Sequence, residues 1–364
     1  MKKPILPKLF FRIQHLDRFF QGVSKEDDQI TFVKRALEEE RGIALVEKKK
    51  KKVLFSKVET LETSSNKRVK PDCPHYSQCS ACHCLHLNYS DELEQKEQTF
   101  KLFLKNYLGK FQRIAGKRTH YRNRVQLHYH QPTKKVGFKS FKNLQDIINI
   151  PDCQIMEPQV KTKYLELLKQ IPKTRSPQGH IEIYHLNDQI YVNLNKPYAH
   201  QGFSQVNKQL NNEVKRHLST IFEEYNLNSP SKSCMDLFGG DGNLSSSLKL
   251  SKRIIIDNSP REIENYKQLN LYNIESIESI RDHQKEPLDI MIINPPRMGF
   301  KHLSSYIETF QPEYLLYMSC DIATLKRDLD SIENRSFKCL ESWLIDFFPG
   351  TYHFESLVLL EFFK

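Results

Sequence analysis

The clearest periodic signal in the chain begins after Gly202. Val206, Leu210, Val214, Leu218, Ile221, Phe222 and Tyr225 recur at helical spacing and trace one apolar face, which stops near Pro230. Short apolar runs then alternate with helical stretches, and residues 234–238, 253–256, 288–293 and 314–318 read as strands. Such alternation predicts an α/β fold, an open parallel sheet with ligands at the carboxyl ends of its strands. Residues 339–348 and 354–363 flank Pro349-Gly350 and predict a terminal hairpin. Upstream, 123–130, 137–141, 181–185 and 189–194 read as strands of a middle unit. Residues 91–110 read as a helix carrying Leu93, Phe100, Phe103 and Leu104. The front of the chain has short strand-like runs at 9–13, 30–32, 43–46 and 53–58, the pattern of a small barrel.

Charge sharpens this division. The 364 residues carry a formal net charge of +11. Residues 101–150 alone hold twelve Lys and Arg against one acid, Asp146, whereas residues 201–364 hold eighteen against twenty-three acids. Arg113, Lys117, Arg118, Arg122, Arg124, Lys134 and Lys135 are interleaved there with Phe111, His120, Tyr121, His128 and Tyr129. Cations attract phosphates and rings stack on unpaired bases, so the block predicts an RNA footprint rather than a merely solvated face. The run Lys48 to Lys52 is a second, weaker candidate. No apolar run is long enough to span a membrane, and Pro and Lys interrupt the first residues before a signal-peptide core could form. A cytoplasmic monomer is expected, in which the eight cysteines serve metal binding or catalysis rather than disulfides.

Three motifs carry candidate chemistry. Asp236-Leu-Phe-Gly-Gly-Asp-Gly-Asn243 follows the first strand of the expected sheet; its glycines allow close backbone approach to a ligand, yet they do not make a dinucleotide fingerprint. Asp257 closes the next strand, where a carboxylate can accept from ribose hydroxyls, so the pair suggests a single-nucleoside cofactor such as S-adenosylmethionine. Asn294-Pro-Pro-Arg297 ends the third strand, and its prolines fix a non-helical exit. Cys320 stands between a strand and a helix. There it is either a small buried hydrophobe or a nucleophile whose thiol a helix N-terminus would acidify, with Asp321 beside it opposing that effect.

Four stretches in order resemble the RNA 5-methyluridine methyltransferases: Asp236-Leu-Phe-x-Gly-x-Gly-Asn243, Asn294-Pro-Pro-Arg-x-Gly299, Ser319-Cys-x-x-Ala-Thr-Leu-x-Arg-Asp-Leu329 and Phe348-Pro-x-Thr-x-His-x-Glu-Ser356. Gly202-Phe-Ser-Gln-Val-Asn207 is similar to a further segment of that family. Cys73-Pro-His-Tyr-Ser-Gln-Cys79-Ser-Ala-Cys82, with Cys153, resembles its iron–sulfur members. Ile13-x-x-Leu-Asp17 and Gly22-Val23 resemble a degenerate TRAM barrel. The resemblance implies a TRAM-like barrel over residues 1–70 and a central α+β iron–sulfur, RNA-binding domain over 71–200. It implies a Rossmann-like S-adenosylmethionine methyltransferase domain over 201–364. It also implies a nucleophile at Cys320, a base at Glu355 and cofactor contacts from Gln205, Phe238, Gly240, Asn243, Asp257 and Asn294. A 4Fe–4S cluster on Cys73, Cys79, Cys82 and Cys153 would complete the set. By spacing alone, a zinc site using Cys84 in place of Cys153 stays open. The chain departs from the family pattern with Asn294 for Asp, Gly239 for Cys and Asp321 for Asn. The implied substrate is large-subunit ribosomal RNA, with the tRNA T-loop and a non-catalytic RNA-binding iron–sulfur protein as the other readings.

Overall fold

A computed structural model describes residues 7–363 apart from 27, 171, 172, 200, 201, 203, 251, 283, 285 and 286. Phe203 of the 202–207 segment and the first six residues of the expected barrel therefore lie outside the described residues. The front of the chain folds as one six-stranded sheet from β1 (Lys8–Arg12), β2 (His15–Leu16), β3 (Gln21–Glu26), β4 (Gln29–Lys34), β5 (Arg41–Lys50) and β6 (Val53–Thr63). Their order is β1-β5-β6-β4-β3-β2, around Phe11, Ile13, Val33, Ala36 and Ala44. β2 and β3 have no signal in the apolar pattern: Gln21–Glu26 contributes a single large apolar residue, Val23.

Helix α1 (Tyr89–Phe103) starts where Asn88 Oδ1 accepts from Asp91 N, and β7 (Lys110–Ala115) follows it. The middle sheet is antiparallel. Its strands β8 (Arg124–His130), β9 (Lys135–Lys139), β10 (Ile147–Ile148), β11 (Gln178–Leu186) and β12 (Gln189–Leu194) take the order β10-β9-β8-β11-β12. Helix α2 (Pro158–Lys169) covers one face through Val160 and Tyr164.

The last unit carries the four expected strands and the hairpin: α3 (Lys208–Glu224), β13 (Ser233–Leu237), β14 (Lys252–Asp257), β15 (Tyr266–Gln268), α4 (Ser276–Arg281), β16 (Ile290–Ile293), α5 (Leu303–Phe310), β17 (Tyr314–Ser319), α6 (Ile322–Asp330), β18 (Phe337–Asp346) and β19 (Glu355–Phe362). It alternates strictly only between β15 and β18, and β15 itself is not among the expected strands. Strands β13 to β17 pair in parallel, and the β18–β19 hairpin adds the antiparallel part. The full order is β15-β14-β13-β16-β17-β19-β18-β7. The expected division at residue 200 does not follow this sheet, because β7 pairs with β18 from Lys110↔Glu341 to Ala115↔Asp346 and α1 packs against the same unit. A buried ion cluster fixes that attachment. Lys96 Nζ lies 2.7 Å from Glu92 and 2.9 Å from Asp346, and Arg118 lies 3.0 Å from Glu92.

Candidate active site

The sheet order brings the candidate residues to one edge. β14, β13, β16 and β17 are neighbours and parallel, so their carboxyl ends deliver Asp257, Phe238, Asn294 and Cys320 side by side. β19 runs the other way beside β17, and the pair Ser319↔Ser356 sets Glu355 across from Cys320. The nucleophile and base candidates, 35 positions apart in sequence, thus meet through one antiparallel register.

At the glycine loop, Gly240 N–H donates to Asp257 Oδ2 at 3.1 Å, which ties the loop to the acidic strand end. Gly240 has φ +57° and open space where a Cβ would point, so the backbone there is accessible to a ligand. The Phe238 ring packs against Tyr272 and Phe300. Asn243 exchanges amide hydrogen bonds with Asn211 at 2.9 and 3.1 Å, so its side chain joins the loop to α3. Gln205 is buried just before α3, and its Oε1 has no partner among the described residues. Asn294 is half-buried, and its N–H donates to Leu237 O. Beneath the loop, Asp236 accepts from Ser245 Oγ at 2.6 Å and is pushed up to about 7 by burial.

Cys320 is half-buried in a cleft of about 110 Å³ lined also by Arg18, Phe19, Thr99, Arg297, Tyr352 and His353. Its thiol is pushed up to about 12 by burial, then by the Glu355 and Asp321 carboxylates, with Arg297 opposing them. The net direction is thus opposite to the acidification expected from the helix alone. Asp321 itself caps α6, accepting from Ala323 N at 3.0 Å and Thr324 N at 3.1 Å, and its negative charge offsets the helix's positive end. Glu355 is buried and pushed up to about 8 by desolvation, again opposed by Arg297, and its Oε2 has no partner among the described residues. Burial drives His353 down to about 3, so it stays neutral.

Several cleft residues escaped the sequence reading. Arg18 Nη1 lies 3.2 Å from Asp321 Oδ1 and its guanidinium sits 4.5 Å from the Phe19 ring centroid. Phe19 meets Tyr352 edge-on at 5.3 Å. The front sheet therefore contributes to the cleft, a contact across 303 positions that no local pattern signals. Arg297 was visible as part of Asn294-Pro-Pro-Arg297, but not as the cation facing both Cys320 and Glu355.

Cys73, Cys79, Cys82 and Cys153 line one cavity with Leu85, Phe138, Ile150 and Ile155. Arg35 of the front sheet clamps the loop above it, donating to Tyr76 O at 2.5 Å and Cys79 O at 2.7 Å. Cys84 is fully buried among Phe20, Leu37 and Leu87, apart from the other four. No group of three or more His, Cys, Asp or Glu among the described residues is arranged to hold a single metal ion. Cys234 is buried in the core, as the apolar pattern implies, and Cys339 is half-buried with its Sγ on Tyr107 O.

A glycine loop tied to an acidic strand end, at the carboxyl edge of this sheet, defines an α/β methyltransferase. A family model described as tRNA (uracil-5-)-methyltransferase matches residues 273–362. The 23S rRNA (uracil(1939)-C(5))-methyltransferase RlmD of Shewanella woodyi is 24% identical over 99% of this chain and 97% of its own. The protein of the same name from Histophilus somni is 26% identical over 96% and 95%. Among solved structures, the Pyrococcus abyssi tRNA (uracil-54, C5)-methyltransferase in complex with S-adenosyl-L-homocysteine shares the fold, with a TM-score of 0.69, 17% identity and coverage of 96% and 99%. The chain is thus similar to RNA uracil-C5 methyltransferases over nearly its whole length. Among the described residues no helix is long and apolar enough to cross a membrane.

Proposed function

We propose that the chain transfers a methyl group from S-adenosylmethionine to carbon 5 of a uridine in large-subunit ribosomal RNA, through a covalent bond between Cys320 and the uracil. The observation that carries the reading is the convergence of Cys320, Glu355 and Arg297 at the carboxyl edge of the sheet. Carbon 5 of uracil is a poor nucleophile until a group adds to carbon 6. The Cys320 thiol gives its proton to water in the open cleft, and its sulfur then bonds to carbon 6 while the ring electrons move onto the carbon 4 carbonyl as an enolate. Carbon 5 attacks the sulfonium methyl, and the breaking carbon–sulfur bond leaves its electron pair on the donor's sulfur. Glu355, in the fraction that has already lost its proton to solvent, accepts the carbon 5 proton; the carbon 6–sulfur bond breaks and the thiolate is restored.

Arg297 is the cation that favours the thiolate and the enolate, because it lowers the proton affinity of both Cys320 and Glu355. Gln205, Phe238, Gly240, Asn243, Asp257 and Asn294 form the proposed donor site. The open space beside Gly240 and the unpartnered Gln205 Oε1 support this site best, whereas Asp257, Phe238 and Asn243 also have partners within the protein. We assign Cys73, Cys79, Cys82 and Cys153 to a 4Fe–4S cluster. Four thiols lining one apolar cavity, with Cys84 held elsewhere, fit that group better than the local zinc set. When bound, a cluster supplies a rigid cross-link between the loop and the middle sheet. The front sheet is read as a TRAM-like barrel over 1–70 that meets RNA, and the central domain lies within 71–200, with α1 and β7 of that stretch joining the methyltransferase domain of 201–364, in a cytoplasmic monomer.

Mass-spectrometric mapping of 5-methyluridine in ribosomal and transfer RNA, with and without the gene, tests the reading. Loss of one methyl from large-subunit RNA is expected. Loss from the tRNA T-loop would transfer the substrate to tRNA, and no loss in either would favour a non-catalytic RNA-binding role.

A further inference from the structure

Among the twelve cations of the basic segment, five are held in ion pairs and two join histidines in a cleft. Lys101 and Arg113 pair with Glu97, Lys110 with Glu224, Arg118 with Glu92, and Arg124 with Glu182 at 2.9 Å. Arg124 is 1% exposed. Those charges are matched within the protein, which corrects the expectation that the whole segment faces RNA. The two cleft cations lie on the middle sheet. Strand alternation turns Val125, Leu127, Tyr129, Val136 and Phe138 into the core, and leaves His128, His130, Lys135 and Lys139 on the opposite face. The register completes the arrangement: His128 pairs with His180, and His130 with Lys135.

These five side chains line a cleft of about 650 Å³, within the size range of small-molecule sites. Asp146 is the one acid among its lining residues, and it is exposed. Neither lysine pairs with a carboxylate among the described residues. Burial, Lys139 and His180 all push the His128 imidazole down, so the cleft already resists further positive charge. An anion would relieve that repulsion. The cleft is lined by none of the residues that line the Cys320 cleft.

We infer that this face of the middle sheet is a second RNA contact, seating a nucleotide and its backbone phosphates apart from the uridine that is methylated. The inference rests on the RNA methyltransferase reading and names where the substrate is gripped. It predicts that Lys135→Ala with Lys139→Ala, in the full chain, weakens binding of a fluorescent large-subunit RNA fragment. The slope of log affinity against log salt should shrink by roughly 1.4, about 0.7 for each phosphate of single-stranded RNA that is no longer neutralised. KM for RNA should rise while kcat at saturating RNA stays unchanged. Lys135→Arg with Lys139→Arg should restore the slope, which separates charge from packing, and melting curves check the fold of both variants. An unchanged slope in the folded alanine variant overturns the site, even if inorganic phosphate alone binds there. Wild-type protein that binds RNA with the steep slope but methylates none would instead defeat the functional reading and leave this contact standing.

Discussion

Cysteines occupy two very different settings in this molecule. Cys320 stands alone among groups that move or steer protons: Glu355 across the strand, Asp321 beside it and Arg297 facing it. Cys73, Cys79, Cys82 and Cys153 instead share a cavity walled by Leu85, Phe138, Ile150 and Ile155. Burial pushes up Cys320 and also Cys79, Cys82 and Cys153, so a raised thiol does not separate the two settings. The neighbours do. A carboxyl within reach and a guanidinium suit a sulfur that must add and leave, whereas several thiols converging in an apolar cavity suit soft-metal ligation. The two settings touch at one turn. His83 N and Cys84 N donate to Gly350 O, Glu92 accepts from Gly350 N at 2.7 Å, and Tyr121 donates to Pro349 O. The turn leading to Glu355 is thus braced by the cysteine loop and by α1.

The contrast is broken most directly at Cys320. Cys320→Ala should reduce labelled methyl transfer to RNA by roughly 10⁴-fold or more while the protein keeps its iron. Protein–RNA adducts that persist in this variant would remove Cys320 from its role. Glu355→Gln should slow turnover by roughly 10²- to 10⁴-fold and accumulate a covalent protein–RNA band on denaturing gels, because the methylated intermediate keeps its carbon 5 proton. The wild-type rate should rise with pH through about 8, since the Glu355 carboxyl accepts only when ionised and burial holds it protonated below that value. A rate that falls across the same interval would assign the limiting proton to another group.

The second setting is tested by colour and metal content. After anaerobic purification, Cys153→Ser should lose most of its iron and its brown chromophore, whereas Cys84→Ser should keep both. Stoichiometric zinc without iron would reverse the assignment. The smallest effect is expected at Arg18. Its pair with Asp321 is about one-third exposed on both sides, worth about 1 kcal/mol at most. Arg18→Ala should therefore slow alkylation of Cys320 by no more than about fivefold, with Arg18→Lys recovering part of it.

Local periodicity made four of the five parallel strands, the terminal hairpin and the place of the glycine loop legible, and missed β15. Strand and helix periods are properties of neighbouring residues, and so are the turn residues that end them. What stayed hidden was every feature made by distant partners. Arg124 reads as one more cation in a basic strand, and only Glu182, 58 positions away, turns it into a buried ion pair. β7 is not among the expected strands at all, its first residue falling in the expected helix, and its pairing with β18 assigns it to the last sheet. Cys320 and Glu355 were legible through motif resemblance, while Arg18 and Phe19 belong to a stretch with no chemical signature of its own.

That pairing of β7 bears on how the chain is made. Lys110 meets Glu341, which is synthesised 231 residues later. At roughly 5–20 residues per second, β7 waits on the order of 10–50 s for its partner. The front sheet closes within residues 8–63 and the middle sheet within 124–194, so both can form on the ribosome. Between them, α1 and β7 emerge with Phe100, Leu104 and Tyr107 still uncovered. This interval is where a nascent chain of this protein most needs a chaperone, and slowed translation after residue 115 would lengthen the exposure.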